Sequence, residues 1–249
     1  MTVFFTLWKH GDDISEICKT AKDAEMALQS IHAPFERTHL IWQENREQGD
    51  AALDELCECI HVCEKFEAPI MVAHAFIGFT EHTPTERGLE RFAKLVALAE
   101  KTEIKIAFEN TEGEEYLSAL MNIFRSSPAV GFCWDSGHEL CYNHSQDLLS
   151  LYGDRLLCTH LNDNLGIKSF NGDITWTDDL HLLLFDGIAD WDNIAARLKR
   201  CGFKGPLTFE LNLFSKPERH ENDRYSGMDF EAYITECYMR ACRVAAKMY

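Results

Sequence analysis

The sequence predicts an α/β protein, a TIM (β/α) barrel that forms a single domain over residues 1 to 249. Short apolar, strand-like runs alternate with segments whose apolar residues recur every three or four positions, as parallel β/α units require. The length of 249 residues also suits one such barrel, and no Pro/Gly/Ser-rich linker divides the chain.

Seven runs have the apolar composition of buried strands. They are VFFTLW (3–8), SIHAPF (30–35), IMVAHAF (70–76), IAFEN (106–110), GFCWDSGH (131–138), LLCTHLND (156–163) and LTFELN (207–212). An eighth segment near residues 180–185 is short and weakly patterned. The last five runs each end near a His, Asp or Glu, and burying such a group is costly unless it meets water, a partner or a cation. Because the functional residues of barrels lie where strands end, we expect a metal centre at one rim.

Apolar stripes with helical spacing predict four helices between and after these strands. The stripes are Leu53, Leu56, Ile60 and Cys63; Leu89, Phe92, Val96 and Ala99; Trp191, Ile194, Leu198 and Cys201; and Phe230, Ile234, Cys237, Ala241, Val244 and Met248. Thr83, Pro84 and Glu86 predict a capped start for the second helix. Gly202 suits the end of the third.

Composition limits the classes of partner. The formal net charge of -17 works against long-range attraction to nucleic acid or acidic lipid. No apolar run is long enough to span a membrane, and the first residues lack a signal-peptide pattern, so a cytoplasmic protein without a membrane partner is predicted. The ten cysteines are expected to be mostly reduced core residues, since a chain of this size needs no disulfide scaffold.

Glu109 and Glu210 are the strongest candidate ligands. Each follows a hydrophobic run and precedes an asparagine by one or two positions, so two carboxylates from separate strands are expected to converge on one cation. The alternative is a pair of rim carboxylates that form salt bridges with lysines.

Two further pairs have a spacing of three residues after a strand. Asp135 precedes His138, and His160 precedes Asp163. Either pair alone is compatible with a hydrogen bond at a helix start, because aspartate caps helices well. Their joint occurrence beside Glu109 and Glu210 favours metal ligands.

The remaining candidates are weaker. His32, His74, Asp179 and His181 are retained as possible additional ligands because they lie at the same rim, although a lone histidine more often bonds to a backbone carbonyl. Loop residues that could hold an anionic substrate group are Lys168, Lys216 and Arg219, with solvated surface charge as the alternative. Phosphate-loop, dinucleotide, nucleophile-elbow and HExxH motifs are absent from the sequence.

Four of these segments together resemble the successive strand-end motifs of the xylose isomerase-like TIM barrels. They are EN at 109–110, DSGH at 135–138, HLND at 160–163 and FEL at 209–211. This superfamily includes sugar isomerases, ketose epimerases, inosose dehydratases and the endonuclease IV group. The resemblance runs from about His32 to Asn212 and is specific for the superfamily rather than for one reaction.

The resemblance implies roles for individual residues. A single divalent metal (Mn, Mg, Co or Zn) would be held by Glu109, Asp135, His160 and Glu210. Glu109 and Glu210 would also exchange a substrate proton, and His138 would contact a substrate oxygen. Endonuclease IV-like proteins bind three zinc ions with a larger set of ligands. By the resemblance, the additional ligands would be His32, His74, His138, Asp179 and His181.

This sequence departs from the family pattern in two ways. The ketose epimerases have an arginine six residues after the histidine of the HLND-like strand, where this chain has Gly166. The SIHAPF run resembles the family's third strand but is the second here. The resemblance therefore implies that one N-terminal β/α unit of the family is missing here, which is compatible with an open or incompletely closed barrel.

The leading hypothesis is therefore a metal-dependent isomerase or epimerase that moves a proton of a small sugar or polyol-type substrate through an enediolate. The second is an endonuclease IV-like phosphoesterase with several zinc ions. The net charge of -17 disfavours a nucleic-acid substrate for such an enzyme. The third is a barrel that binds a sugar without turnover. A homo-oligomer is compatible with each hypothesis.

Overall fold

The computed structural model describes residues 3–79, 83–167 and 174–248. Two compact units divide the chain, Met1–Cys133 and Trp134–Tyr249. The single domain over residues 1 to 249 stays a prediction. Among the described residues, each helix is too short or too polar to cross a lipid bilayer.

The first unit alternates parallel strands with helices, as the sequence predicts. Its elements are β1 (Val3–Leu7), α1 (Ser15–Asp23), β2 (Ala27–His32), α2 (Thr38–Ile41), α3 (Arg46–Lys65), β3 (Ile70–His74), α4 (Glu86–Thr102), β4 (Lys105–Glu109), α5 (Glu114–Ile123) and most of β5 (Val130–Asp135). The five strands lie side by side in chain order and are parallel. The carboxyl ends of β2, β3 and β4 are therefore at one edge of this sheet, and they carry His32, His74 and Glu109.

The helices of this unit bury most of the two predicted stripes: Phe92, Val96 and Ala99 of α4 are buried, and Leu89 is partly buried. Leu53, Leu56, Ile60 and Cys63 of α3 are buried, which confirms that stripe. The predicted cap of α4 is wrong by two residues: Thr85, not Thr83, accepts the amide hydrogen of Gly88. The hydroxyl of Thr85 also donates a hydrogen bond to the carbonyl of Trp42. This contact holds Thr85 at the start of the helix.

The second unit contains fewer regular strands than predicted. After the end of β5 it comprises α6 (Ser136–Cys141), α7 (Leu148–Tyr152), β6 (Leu156–His160), α8 (Trp191–Arg200) and α9 (Phe230–Lys247). The predicted strand at 207–212 is reduced to one parallel bridge between Phe209 and Leu161. The doubtful segment near 180–185 gives one antiparallel bridge between Leu182 and Asp163. The backbone of both segments bonds instead to turns, including Asn212 to His181 and Asp186 to Leu183.

Helix α8 begins as a capped helix and ends as predicted. The Asp190 side chain accepts the amide hydrogens of Asp192 and Asn193. After Cys201, Gly202 adopts a left-handed backbone with φ of 68°, which glycine enters without steric cost.

The predicted apolar face of α9 is confirmed over its second half and wrong at its start. Val244 is buried as expected, and Cys237 packs against the cluster of Leu183, Tyr225 and Tyr233. Phe230 is 70% exposed and Ile234 is 47% exposed. At the start of the helix, Tyr233 is therefore the buried residue in place of these two.

Candidate metal centre

The first unit brings together three predicted ligands at the ends of adjacent strands. His32 Nε2 lies 3.2 Å from Glu109 Oε2, and His74 Nε2 lies 3.5 Å from the same oxygen. One ligand atom from each residue falls within 4.8 Å of the others, and all three residues are buried. Two imidazoles and a carboxylate are a ligand set that suits zinc.

Contacts around these histidines orient both rings. His32 Nδ1 lies 2.8 Å from the carbonyl oxygen of Ala33, which directs Nε2 toward Glu109. Phe35 stacks on His74 with ring centroids 4.7 Å apart and meets His32 edge-on. Burial lowers the pKa of His74 even though the Glu109 carboxylate opposes this shift. The neutral imidazole, which is the form that ligates metals, is thereby favoured.

The second unit brings together three of the four ligands of the predicted single-metal site. Ligand atoms of Asp135, His160 and Glu210 lie within 4.8 Å of one another, and His160 Nδ1 is 3.0 Å from Glu210 Oε2. Asp135 ends β5 and His160 ends β6, and both are fully buried. The side chain of Glu210 is 24% exposed. Glu109 belongs to the first unit, and its place in this ligand set stays a prediction.

Asp135 is held in place by two hydrogen bonds, one to each carboxylate oxygen. The backbone amide of His138 donates to Oδ1 at 2.7 Å, and Asn162 Nδ2 donates to Oδ2 at 2.8 Å. The first bond caps the start of α6. The Asp135/His138 spacing therefore does produce the helix-start hydrogen bond that was the alternative to metal binding. Capping leaves Asp135 among the clustered ligand atoms, and the two interpretations are compatible.

Asn162 and Ser136 are site residues that the sequence reasoning missed. Ser136 Oγ donates to the carbonyl of Asn162 at 2.7 Å and accepts the amide hydrogen of Asn162 at 3.0 Å. A Cβ atom added to Gly137 would lie 1.8 Å from Asn162 Oδ1. Asn162 thus packs directly on α6 and fixes the Asp135 carboxylate. The only signal in the sequence is that both residues lie inside the DSGH and HLND motifs.

A second cluster in this unit contains His138, Asp179 and His181. Asp179 Oδ2 is 2.6 Å from His181 Nε2, 3.4 Å from His138 Nε2 and 3.6 Å from Lys216 Nζ. Ligand atoms of the first three residues lie within 4.8 Å of one another. The ammonium group of Lys216 already supplies a positive charge beside this carboxylate.

The charges of this cluster shift two pKa values in opposite directions. Burial alone would raise the pKa of Asp179, but the charges of His181 and His138 outweigh burial and hold it well below its usual range. Burial alone would lower the pKa of His181, but Asp179, with a smaller contribution from Glu210, raises it to about 9. An Asp179 carboxylate paired with a His181 imidazolium is therefore the stable state at neutral pH.

Asp163 does not join either cluster, despite its spacing from His160. Its carboxylate accepts hydrogen bonds from Trp191 Nε1 at 3.0 Å and from the amides of Phe185, Ala189 and Asn164. One donor is thus on α8, and two are backbone amides of the segment directly before α8. The Asp163 carboxylate therefore ties the start of α8 and this segment to the end of the HLND motif.

The basic loop residues have different environments. Arg219 forms ion pairs with Glu221 and Asp178, which supports the alternative of paired surface charge. Lys216 is mostly buried beside Asp179, with Nζ 5.4 Å from the centre of the Trp176 ring. Lys168 lies outside the described residues.

Comparison with known proteins relates most of the chain to one family. A family profile described as xylose isomerase-like TIM barrel matches residues 6–227. The crystal structure of IOLI protein with a zinc atom has a TM-score of 0.73 at 18% identity, covering 96% of this chain and 84% of that one. A D-tagatose 3-epimerase-like protein has a TM-score of 0.67 at 17% identity, covering 98% and 91%. These likenesses show the fold, which is the predicted TIM barrel type.

One curated relative is more similar over a shorter stretch. The uncharacterized protein y4fM of Sinorhizobium fredii is 39% identical over 116 residues, which make up 44% of this chain and 34% of that protein. The match therefore spans about a third of the relative's length.

Proposed function

Because the chain belongs to the xylose isomerase-like TIM barrel family, we propose that it is a metal-dependent isomerase or epimerase of a small sugar or polyol-type substrate. The structures with this fold include proteins titled D-tagatose 3-epimerase-like, L-ribulose 3-epimerase and D-psicose 3-epimerase, the last with D-tagatose. The match to IOLI protein with a zinc atom supports a metal in this fold.

The observation that carries the proposal is the cluster of Asp135, His160 and Glu210 in the second unit. Two carboxylates and one imidazole within 4.8 Å of one another fit a divalent cation such as Mn, Mg, Co or Zn. Glu109 is proposed as the fourth ligand on its position at the end of an apolar run and on the family resemblance. When bound, the ion would act as a Lewis acid on adjacent substrate oxygens.

Glu210 is the residue of this cluster best suited to exchange a proton with the substrate. Its side chain is 24% exposed, whereas those of Asp135 and His160 are fully buried. A carboxylate that reaches open space can remove a proton from a substrate carbon, which leaves an enediolate, and can return this proton to the adjacent carbon for isomerisation. Epimerisation needs a second group that delivers a proton to the opposite face of the same carbon. Glu109 is the proposed second proton-transfer residue, and His138 is proposed to contact a substrate oxygen.

Solvent exchange tests this function directly. Purified protein is incubated in deuterated water with a panel of ketoses, aldoses and inososes, with and without added Mn²⁺, Co²⁺, Mg²⁺ or Zn²⁺. Metal-dependent deuterium incorporation at the carbon next to a carbonyl is expected. Exchange should disappear in Glu210→Gln and persist in Glu218→Gln, which changes an exposed carboxylate on the following loop. Absence of exchange with every substrate and metal would refute the proposal.

A second candidate function is phosphoester hydrolysis by several zinc ions. It is favoured by the additional buried groups His32/His74/Glu109 and His138/Asp179/His181, each with ligand atoms within 4.8 Å. Metal analysis separates the two functions. About three zinc ions per chain, together with hydrolysis of a phosphoester, would favour the second, whereas one ion per chain favours isomerisation.

A further inference from the structure

The segment that carries Glu210 has only a short stretch of strand pairing. Among the described residues of this segment, Phe209 forms a bridge with Leu161. The amide of Leu161 donates to the carbonyl of Thr208 at 2.9 Å, and the amide of Glu210 donates to the carbonyl of Leu161 at 3.2 Å. Beyond Glu210 the backbone is held by other contacts, and the Glu210 side chain lies 3.0 Å from His160 Nδ1.

His181 supplies contacts on both sides of this position. Its Nδ1 donates to the backbone carbonyl of Glu210 at 3.1 Å, because a carbonyl oxygen can only accept. The amide of Asn212 donates to the carbonyl of His181 at 3.0 Å. The side chain and the backbone of His181 therefore clamp the segment at Glu210 and two residues later.

The ring of His181 is itself fixed. Its Nε2 is 2.6 Å from Asp179 Oδ2, and the side chains of both residues are only 10% exposed. The backbone of His181 has a φ of 47°, in the left-handed region that non-glycine residues seldom occupy. Such a conformation persists only where surrounding contacts determine it. Here the contacts are the hydrogen bonds of His181 to Glu210 and Asn212.

We propose that His181 is a positioning residue that holds Glu210 for proton transfer, with Asp179 fixing the orientation of its ring. This inference rests on the proposed function of Glu210. It assigns Nδ1 of His181, rather than a metal-ligating Nε2, as the functional atom.

Two amide substitutions separate these two nitrogen atoms. The side-chain NH₂ of asparagine reaches the position of Nδ1, and that of glutamine reaches the position of Nε2. His181→Asn therefore keeps the bond to the Glu210 carbonyl, whereas His181→Gln keeps only the contact with Asp179. We expect His181→Gln to lower kcat by about tenfold or more with little change in KM, as is usual for residues that orient a site. His181→Asn should keep kcat within about threefold of the parent protein.

Two measurements on the metal-free and metal-loaded proteins do not depend on turnover. Hydrogen exchange of the peptide that spans residues 207–213 should become faster in His181→Gln than in His181→Asn when metal is absent. Titration with Mn²⁺ should show weaker binding in His181→Gln. Circular dichroism of each variant checks that the fold is retained.

The possible results distinguish the failures of the two proposals. Equal exchange rates and equal Mn²⁺ affinity in both variants would overturn the positioning role. Loss of one bound metal per chain in both variants would overturn it in favour of a second metal site at His181. If the parent protein exchanges no substrate hydrogen, the proposed function fails, and the difference in peptide exchange still decides whether His181 holds the segment.

Discussion

Replacing Gly137 by alanine should damage the metal centre, although alanine normally stabilises a helix. Gly137 lies in α6, between Ser136 and His138. A Cβ atom there would lie 1.8 Å from Asn162 Oδ1, so Asn162 must move by about 1.6 Å to reach the 3.4 Å of an ordinary contact. This movement breaks the 2.8 Å hydrogen bond from Asn162 Nδ2 to Asp135.

The expected cost follows from three contributions. Loss of a hydrogen bond to a charged group costs roughly 1.5–3 kcal/mol. Overpacking of a buried position adds roughly 1–3 kcal/mol. Better helix propensity of alanine offsets up to about 1 kcal/mol. The free energy of unfolding of the metal-free protein should therefore fall by about 1.5–6 kcal/mol, and metal affinity should fall about 10–100-fold because Asp135 loses its orientation.

Urea unfolding of the metal-free protein measures the first effect, and titration with Mn²⁺ or Zn²⁺ measures the second. Gly227→Ala is the matched control, since a Cβ atom at Gly227 meets no atom within 4 Å. It should change stability by less than about 0.5 kcal/mol and leave metal affinity intact. Parent-like metal affinity in Gly137→Ala would refute the conclusion that Asn162 fixes a metal ligand.

Three further predictions follow. Glu210→Gln should abolish metal retention and turnover with an unchanged circular dichroism spectrum; full retention of metal, measured by elemental analysis, would contradict its role. Arg197→Met should lower the free energy of unfolding by about 3–5 kcal/mol, or roughly 10 °C in melting temperature, because it leaves the buried Glu139 carboxylate without its bidentate partner. The exposed Arg200→Met should be nearly neutral, and an equal effect of the two would contradict this reasoning. The His181 imidazolium, with its pKa raised to about 9, should stabilise metal-free protein fully below pH of about 6.5 and lose this contribution as pH rises through 9. Melting temperatures from pH 6 to 10 should therefore fall less steeply in His181→Asn than in the parent, and parallel curves would contradict the shift.

The sequence predicted the strand ends well because local pattern and chemistry coincide there. The predicted runs at 70–76, 106–110 and 156–163 each contain the residue at which the observed strand ends, His74, Glu109 or His160, and extend one to three residues beyond it. Since a one-residue shift of a strand would move a charged group into the core, the pattern determines the boundary closely. Parallel pairing then brings His74 directly opposite Glu109.

Features that depend on tertiary contacts could not be predicted. Helix α9 has apolar residues on more than one face, so periodicity does not select the buried one. Tyr233 rather than Ile234 is buried at its start, and Arg240 bonds to the carbonyl of Leu184 and to Asp186, contacts that no local pattern indicates. The run at 207–212 looks like a strand in composition, but its backbone pairs only around Phe209, with Leu161, and the amide of Asn212 bonds to the turn at His181. Asn162 is similarly recognisable only from its contact with Asp135.

Asp163 shows that a shared motif can be kept for reasons other than catalysis. Its carboxylate accepts hydrogen bonds from Trp191 of α8 and from three backbone amides, and none of these contacts involves a candidate ligand. A relative without turnover would still need this aspartate to hold the start of α8. Surveys that rank uncharacterised sequences by counting HLND-type matches would therefore score an inert scaffold as highly as an enzyme, and positions equivalent to Glu210 and His160 give the more informative test.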